Sequence, residues 1–261
     1  ASFGVTGLSE VVRHFRTIKK AFRDMQAHLE TCRPDLLILV DYPGFNLRLA
    51  KYAKKTLNIR TLYYISPQIW AWKAKRIHTI RKYVDKMAVI FPFEKRIYQQ
   101  AQVPVSYVGH PLVRHITPSG TPQTIRKQLN LPVNKSLIAM LPGSRTHEIE
   151  RHMPVLVQTS AQLLKKYHDL HFVIPVAGTI NPQKISSFLS EETKASFTLI
   201  SGQALDAVFV SDCAIVASGT ASLECALLNK PMCIIYKASL LTYLAAAKLV
   251  KVKYLGLCNL L

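Results

Sequence analysis

Leu137-Ile138-Ala139-Met140-Leu141-Pro142-Gly143-Ser144-Arg145-Thr146-His147-Glu148-Ile149 is the stretch that decides the fold. An apolar run without polar alternation, then a Pro-Gly turn, then a helix start, describes a strand buried on both faces that feeds a loop and a helix. The same pattern recurs along the chain. Short runs rich in Val, Ile, Leu and aromatic residues lie at 36–40, 60–65, 86–91, 105–108, 171–176, 197–200, 213–217 and 232–236, separated by basic helical stretches. Such alternation predicts parallel sheets covered on both faces. The expected fold class is α/β, with two Rossmann-like doubly wound parallel-sheet domains.

The segment from Val113 to Lys135 carries Pro118, Ser119, Gly120, Thr121, Pro122, Pro132 and Asn134 and no strand pattern, with a short helix expected at 123–129. The domain junction is placed there, giving domains at 1–115 and 116–261. Only four strand patterns precede the junction, fewer than a Rossmann-like domain normally holds. The chain starts on Ala1 and ends on Leu260-Leu261 just after a turn-like Cys258-Asn259. The expectation is a fragment, incomplete at both ends.

With 34 Lys+Arg against 15 Asp+Glu, the formal net charge of +19 draws the protein to polyanions, whether nucleic acid, anionic lipid or a phosphorylated substrate. No run approaches the roughly 18 apolar residues of a spanning helix, and the start lacks a signal-peptide pattern, so a soluble or peripheral protein is expected. The five cysteines are odd in number, show no Cys-x-x-Cys spacing and are expected to be reduced core residues of a cytoplasmic protein.

A helix expected at 8–25 places Leu8, Val11, Val12, Phe15, Ile18 and Phe22 on one side, with Arg13, Arg16, Lys19, Lys20 and Arg23 around the rest. Packing on a sheet and lying on an anionic membrane surface both suit that pattern.

Ligands in open α/β sheets bind beyond the carboxyl ends of the strands. Three such ends carry chemistry. In Val40-Asp41-Tyr42-Pro43-Gly44-Phe45-Asn46, a carboxylate follows directly on a strand and can act as general base for a hydroxyl, or simply serve a turn or helix cap. In the opening stretch, Gly143 and Ser144 offer backbone N–H groups at a helix start, and Arg145 adds a forked, permanently charged donor for an anion. In Val216-Ala217-Ser218-Gly219-Thr220-Ala221-Ser222-Leu223-Glu224, a loop of small residues admits a diphosphate, and Glu224 either accepts ribose hydroxyls or merely complements the helix dipole. Two phosphate-type loops in one domain favour a shared nucleotide diphosphate.

Both tryptophans sit in Tyr64-Ile65-Ser66-Pro67-Gln68-Ile69-Trp70-Ala71-Trp72-Lys73. Gln68, Trp70 and Trp72 suit a sugar or acyl-chain wall, or plain packing. Asp-x-Asp, Gly-Lys-Ser/Thr and Gly-x-Gly-x-x-Gly are all missing, so neither a metal nor a cofactor is expected.

The run from Tyr64 to Trp72, with Pro92-Phe93-Glu94, Gly109-His110-Pro111, Pro142-Gly143-Ser144-Arg145, Ser218-Gly219-Thr220-Ala221-Ser222-Leu223-Glu224 and Pro231-Met232, resembles bacterial lipid-A-disaccharide synthases in the same order. The Ser-Pro-x-x-Trp-Ala-Trp stretch is highly specific, and the likeness covers essentially the whole chain. The resemblance implies the two-domain GT-B architecture and an inverting glycosyltransferase of lipid A biosynthesis. That enzyme joins UDP-2,3-diacylglucosamine to 2,3-diacylglucosamine 1-phosphate through a β-1,6 bond and releases UDP. It implies Asp41 as base, Arg145 as stabiliser of the departing diphosphate, and Gly143, Ser144, Ser218, Gly219, Thr220, Ala221, Glu224 and Asn259 around the donor. Gln68, Trp70, Trp72, Leu8, Val11, Val12 and Phe15 are the expected acceptor and lipid contacts. The implied location is peripheral on the cytoplasmic face of the inner membrane, against an anionic surface, and a homodimer is compatible with it.

Two departures stand out. Gly44 replaces the second Asp of the family's usual Asp-x-Pro-Asp-Phe-Asn, leaving Asp41 alone, and the family's N-terminal Gly-rich loop and final helices are missing. The competing readings are a UDP-N-acetylglucosamine 2-epimerase or other GT-B enzyme, and a basic nucleic-acid-binding protein. Against the last, the basic residues are dispersed over many helices without a recognised motif, and no specific nucleic acid is expected.

Overall fold

The structure, a computed structural model, describes residues 8–239 and Asn259, with side chains from residue 16 onward. Its residues form two compact units that divide between His110 and Pro111.

In the first unit, the helix α1 (Leu8–Cys32) leads into β1 (Leu36–Val40), α2 (Pro43–Thr56), β2 (Arg60–Tyr64), α3 (Arg76–Tyr83), β3 (Lys86–Val89), α4 (Pro92–Gln100) and β4 (Val105–Tyr107). The four strands are parallel in the order β1-β2-β3-β4. This sheet winds in one direction only among the described residues. Tyr63, Met87, Ile80 and Tyr98 are fully buried at its centre, each contributing about 1.5–3 kcal/mol of apolar burial. The second half of α1 packs here too. Leu29 is buried, and Phe22 meets Phe45 edge-on at 5.4 Å, so this part of the amphipathic helix faces the protein.

One expectation fails at β1. Leu36, Ile38 and Val40 are exposed, because alternate side chains of a strand point to opposite faces and the described helices cover only one face of this edge strand.

The second unit starts with a 3₁₀ turn at Pro111–Arg114 and continues through α5 (Pro122–Gln128), β5 (Ser136–Leu141), α6 (Thr146–Lys166), β6 (Leu170–Val176), α7 (Pro182–Ser186), α8 (Glu191–Lys194), β7 (Phe197–Ser201), α9 (Ala204–Val210), β8 (Cys213–Ala217), α10 (Thr220–Leu227) and β9 (Met232–Ile235). Its sheet is parallel with the order β7-β6-β5-β8-β9. After β6 and β7 are laid down on one side of β5, the chain returns to put β8 and β9 on the other. That reversal is a topological switch point, where the loops after β5 and β8 leave in opposite directions and open a crevice. Register makes them neighbours, since Leu141 pairs with Val216 at the strand ends. Met140, Ile149, Met153, Leu156, Phe172 and Ile174 form the core beneath.

Among the described cysteines only Cys225 is buried; Cys213 is half-buried and Cys32 and Cys233 are exposed, which corrects the expectation of core residues. Cys258 lies outside the described residues. Among the described residues no helix is long and apolar enough to cross a membrane.

Candidate active site

At the switch point of the second unit, Gly143, Ser144, Arg145, Ser218, Gly219, Thr220, Ala221 and Glu224 line one cavity of about 350 Å³. The two anion-type loops are brought together here, but they are not alike. The loop after β5 is capped from within. Glu148, one turn into α6, accepts the backbone N–H of Ser144 at 2.9 Å and of Arg145 at 3.2 Å with one carboxylate oxygen, and the Arg145 guanidinium at 2.8 Å with the other. The Arg-x-x-Glu spacing is that of a capping box, a signal present in the sequence but not used in reading it. Gly143 is required by the same contact: at φ +121°, an added Cβ would lie 2.5 Å from the Glu148 carboxylate. Arg145 keeps N–H donors that Glu148 does not take, while the loop amides at Ser144 and Arg145 are already engaged.

The loop after β8 is open. The Thr220 and Ala221 amides at the start of α10 meet no protein acceptor among the described residues, whereas the Ser222 amide donates to the Gly219 carbonyl at 3.1 Å. Glu224 is half-buried in the cavity wall, its carboxylate accepts no hydrogen bond among the described residues, and burial raises its pKa. A desolvated carboxylate beside free amides suits a polyhydroxylated anion, which brings hydroxyl donors to the first and phosphate oxygens to the second.

His152 was missed by sequence reading, and nothing in its surroundings along the chain signals it. Fully buried on α6, it faces the Pro142 carbonyl through Nδ1 at 2.6 Å and accepts the Lys237 N–H through Nε2 at 3.0 Å. Those partner roles assign the proton to Nδ1 and tie the strand-end segment after β9 to the loop after β5.

In the first unit Asp41 sits at the carboxyl end of β1 in a left-handed conformation, φ 46°, followed by Tyr42 at φ 43°. Two consecutive non-glycine residues there cost about 1–3 kcal/mol each. The surroundings enforce it: Asn46 donates to the Asp41 and Val40 carbonyls at 2.7 and 2.9 Å, and the Tyr63 hydroxyl donates to the Asp41 carbonyl at 2.6 Å. The carboxylate itself is exposed and makes no hydrogen bond among the described residues. Burial, then the Asp41 charge, drives the Tyr63 pKa well above the ordinary tyrosine value.

The two tryptophans separate. Trp70 packs inward, edge-on to Phe93 at 5.2 Å, and donates its indole N–H to Glu94 at 3.1 Å. Trp72 and Gln68 are exposed, and Trp72 carries Lys73 and Arg76 over its ring. His110 tilts against Phe91 at 5.5 Å. The side chains of Leu8, Val11, Val12 and Phe15 lie outside the described residues, and Asn259 is exposed. A larger open depression lined by Arg33, Asp35, Asn58 and Arg60 lies at the amino ends of β1 and β2, away from the strand ends that carry these side chains.

Glu94 is the second residue that sequence reading left without a role. Buried to 1 % exposure, it accepts Ser66 Oγ at 2.7 Å, Trp70 Nε1 at 3.1 Å and the Phe91 amide at 3.2 Å, and so anchors the Ser66–Trp72 loop to α4. Burial raises its pKa, and the hydrogen bonds oppose that rise. Since the folded state binds the proton more tightly than the unfolded one, this group's contribution to stability is greatest at low pH and is lost as the pH rises through the folded pKa. Glu94→Gln is expected to remove that pH dependence. Glu94→Ala, which orphans the Ser66 hydroxyl and the Trp70 indole, is expected to cost about 2–4 kcal/mol in urea unfolding. A Glu94→Ala protein as stable as the wild type would refute the anchoring role.

Comparison with solved structures defines the class. The fold matches S. aureus MnaA in its co-structure with UDP, at a TM-score of 0.64 and 14% identity over 98% of this chain and 71% of that one. It also matches UDP-GlcNAc 2-epimerase from Neisseria meningitidis bound to UDP-GlcNAc, at 0.62 and 17% over 99% and 73%. At such identities the likeness is one of fold alone, and the class is the GT-B group of two-sheet α/β proteins. Within that class the chain belongs to the lipid-A-disaccharide synthetase family, whose sequence profile matches residues 1–261. Lipid-A-disaccharide synthase 1 of Legionella pneumophila (strain Philadelphia 1) is 60% identical over 259 residues, 99% of this chain and 67% of that protein. The Coxiella burnetii (strain CbuK_Q154) lipid-A-disaccharide synthase is 44% identical over 256 residues, again covering 67% of its length. The chain thus spans about two thirds of these relatives.

Proposed function

We propose that the protein is an inverting glycosyltransferase of lipid A biosynthesis that joins UDP-2,3-diacylglucosamine to 2,3-diacylglucosamine 1-phosphate and releases UDP. Membership of the family carries the reading. The switch-point cavity supports it from the molecule itself: open amides on α10, the Glu224 carboxylate and the Arg145 guanidinium match the ribose and diphosphate of UDP in kind. The epimerase alternative draws only on a fold likeness below 20% identity. A basic nucleic-acid module draws only on net charge.

The acceptor hydroxyl oxygen attacks the anomeric carbon as the bond from that carbon to the diphosphate oxygen breaks. The hydroxyl proton passes to the Asp41 carboxylate, and the electron pair leaves on UDP. Charge grows on the diphosphate, where Arg145 and the α10 amides oppose it; preorganised donors of this kind are worth about 3–4 kcal/mol each. The net charge of +19 supports a peripheral position on an anionic membrane, and by family likeness that is the cytoplasmic face of the inner membrane.

UDP release by the full-length protein in detergent micelles tests the reading. Release from UDP-2,3-diacylglucosamine is expected to require the acceptor and to survive EDTA. Acceptor-independent release would replace the transferase with a hydrolase or epimerase.

A further inference from the structure

Arg76 opens α3 in the first unit, packed over the Trp72 ring with its guanidinium carbon 5.2 Å from the centroid. Lys73 covers the same ring at 4.4 Å. The guanidinium is half-buried, yet no carboxylate, carbonyl or hydroxyl accepts any of its N–H groups among the described residues. Burial pulls its pKa down, but an Arg retains its charge at any physiological pH. A partly desolvated cation with five unmet donors is a costly arrangement in a protein with carboxylates available elsewhere.

The local field deepens that cost. Lys75 precedes Arg76, no acidic residue occupies the first turn of α3, and the positive end of the helix dipole points the same way. Three cations thus follow one another closely in the chain, and no acidic side chain pairs with them among the described residues. The cluster is linked to the candidate base through Tyr63. The Arg76 charge acts on the Tyr63 hydroxyl, and that hydroxyl donates to the Asp41 carbonyl at 2.6 Å. Two cations held against an exposed indole set forked and point donors beside apolar surface, the combination that recognises a phosphorylated, acylated sugar.

We propose that Arg76, with Lys73 across Trp72, is the anion site of the first unit and holds the phosphate monoester of the acceptor sugar. The assignment deepens the transferase reading and rests on it. Arg76 supplies the bidentate fork, Lys73 a second charge, and Trp72 the surface against which both are held. The phosphate so bound would orient the acceptor's distant hydroxyl toward Asp41, making Arg76 a determinant of which acceptor is used.

The test measures binding of 2,3-diacylglucosamine 1-phosphate and of its dephosphorylated counterpart to the full-length protein in zwitterionic micelles. Wild type, Arg76→Gln and Arg76→Lys are compared, and UDP affinity reports whether each variant is folded. The wild type is expected to prefer the phosphorylated sugar by about 10- to 100-fold, the range of a charge-assisted pair. Arg76→Gln is expected to abolish that preference with UDP affinity unchanged, and Arg76→Lys to retain part of it, because a point charge lacks the fork. Should the Gln variant lose UDP binding through misfolding, the Lys variant carries the test.

A wild-type preference that survives Arg76→Gln overturns the assignment. So does equal binding of the two sugars by the wild type. Arg76-dependent binding to phosphatidylglycerol micelles without discrimination between the sugars would also overturn it and identify a lipid headgroup as the anion. Failure of the transferase reading itself is distinguishable, because phosphate preference would then persist without acceptor-dependent UDP release.

Discussion

Asp41→Asn is expected to lower kcat by about 10²- to 10⁴-fold, the usual span for loss of a general base. The substitution is chosen for the backbone. Asp41 and Tyr42 lie at φ 46° and 43°, and Asn is among the few residues that tolerate this region, so the variant keeps the strand-end geometry that an Ala would strain. The hydrogen bonds that enforce the bend run to the Asp41 carbonyl from Asn46 and Tyr63, and neither involves the side chain being changed. UDP affinity is expected to stay at the wild-type value, since its candidate ligands lie in the second unit. Steady-state UDP release with acceptor present, alongside UDP binding by calorimetry, reads both quantities. A variant within threefold of wild-type kcat would remove Asp41 from the chemistry.

Arg145→Ala is the other large effect, an expected loss of about 10²- to 10³-fold in kcat with a smaller loss of UDP affinity. The difference follows from when the charge develops: the diphosphate of the bound donor is already anionic, but the oxygen that leaves the anomeric carbon gains charge only as the bond breaks. The loop should survive, because Glu148 still caps the Ser144 amide when the guanidinium is gone. Arg145→Lys should recover only part of the rate, since one of the Arg donors is held by Glu148 and a Lys in the same ion pair offers the ligand a poorly directed remainder. Equal losses in kcat/KM and UDP affinity with kcat unchanged would make Arg145 a ground-state binding residue.

Much of the fold was legible along the chain because parallel strands buried on both faces are written as continuous apolar runs, and each of the nine runs became a strand. The edge strand β1 shows the limit. Leu36-Leu37-Ile38-Leu39-Val40 reads like the central β5, yet Leu36, Ile38 and Val40 are exposed, since burial of a strand's second face depends on what packs there and not on its own residues. In the candidate site, residues at strand ends were legible for the same reason as the strands. Asp41 and Ser218 follow apolar runs directly, Gly219 and Arg145 follow within four residues, and strand carboxyl ends are where α/β sheets present ligands.

Roles within the site were not legible. From sequence, the loops after β5 and β8 both read as phosphate-type loops; in the structure Glu148 caps the amides of the first and leaves the second open. Trp70 and Trp72, two residues apart, read alike as wall or as packing, and the structure turns one onto Glu94 and the other toward Lys73 and Arg76. The alternation of strand and helix, the positions of the strand ends and the family are written along the chain, because these depend on local periodicity and on short motifs. Only the tertiary structure decided the β7-β6-β5-β8-β9 order that makes the crevice, the His152 link between Pro142 and Lys237, and which charged groups are paired. Those are contacts between residues far apart in the chain, and whether a charge is satisfied is settled by whichever distant partner the fold carries to within hydrogen-bonding distance.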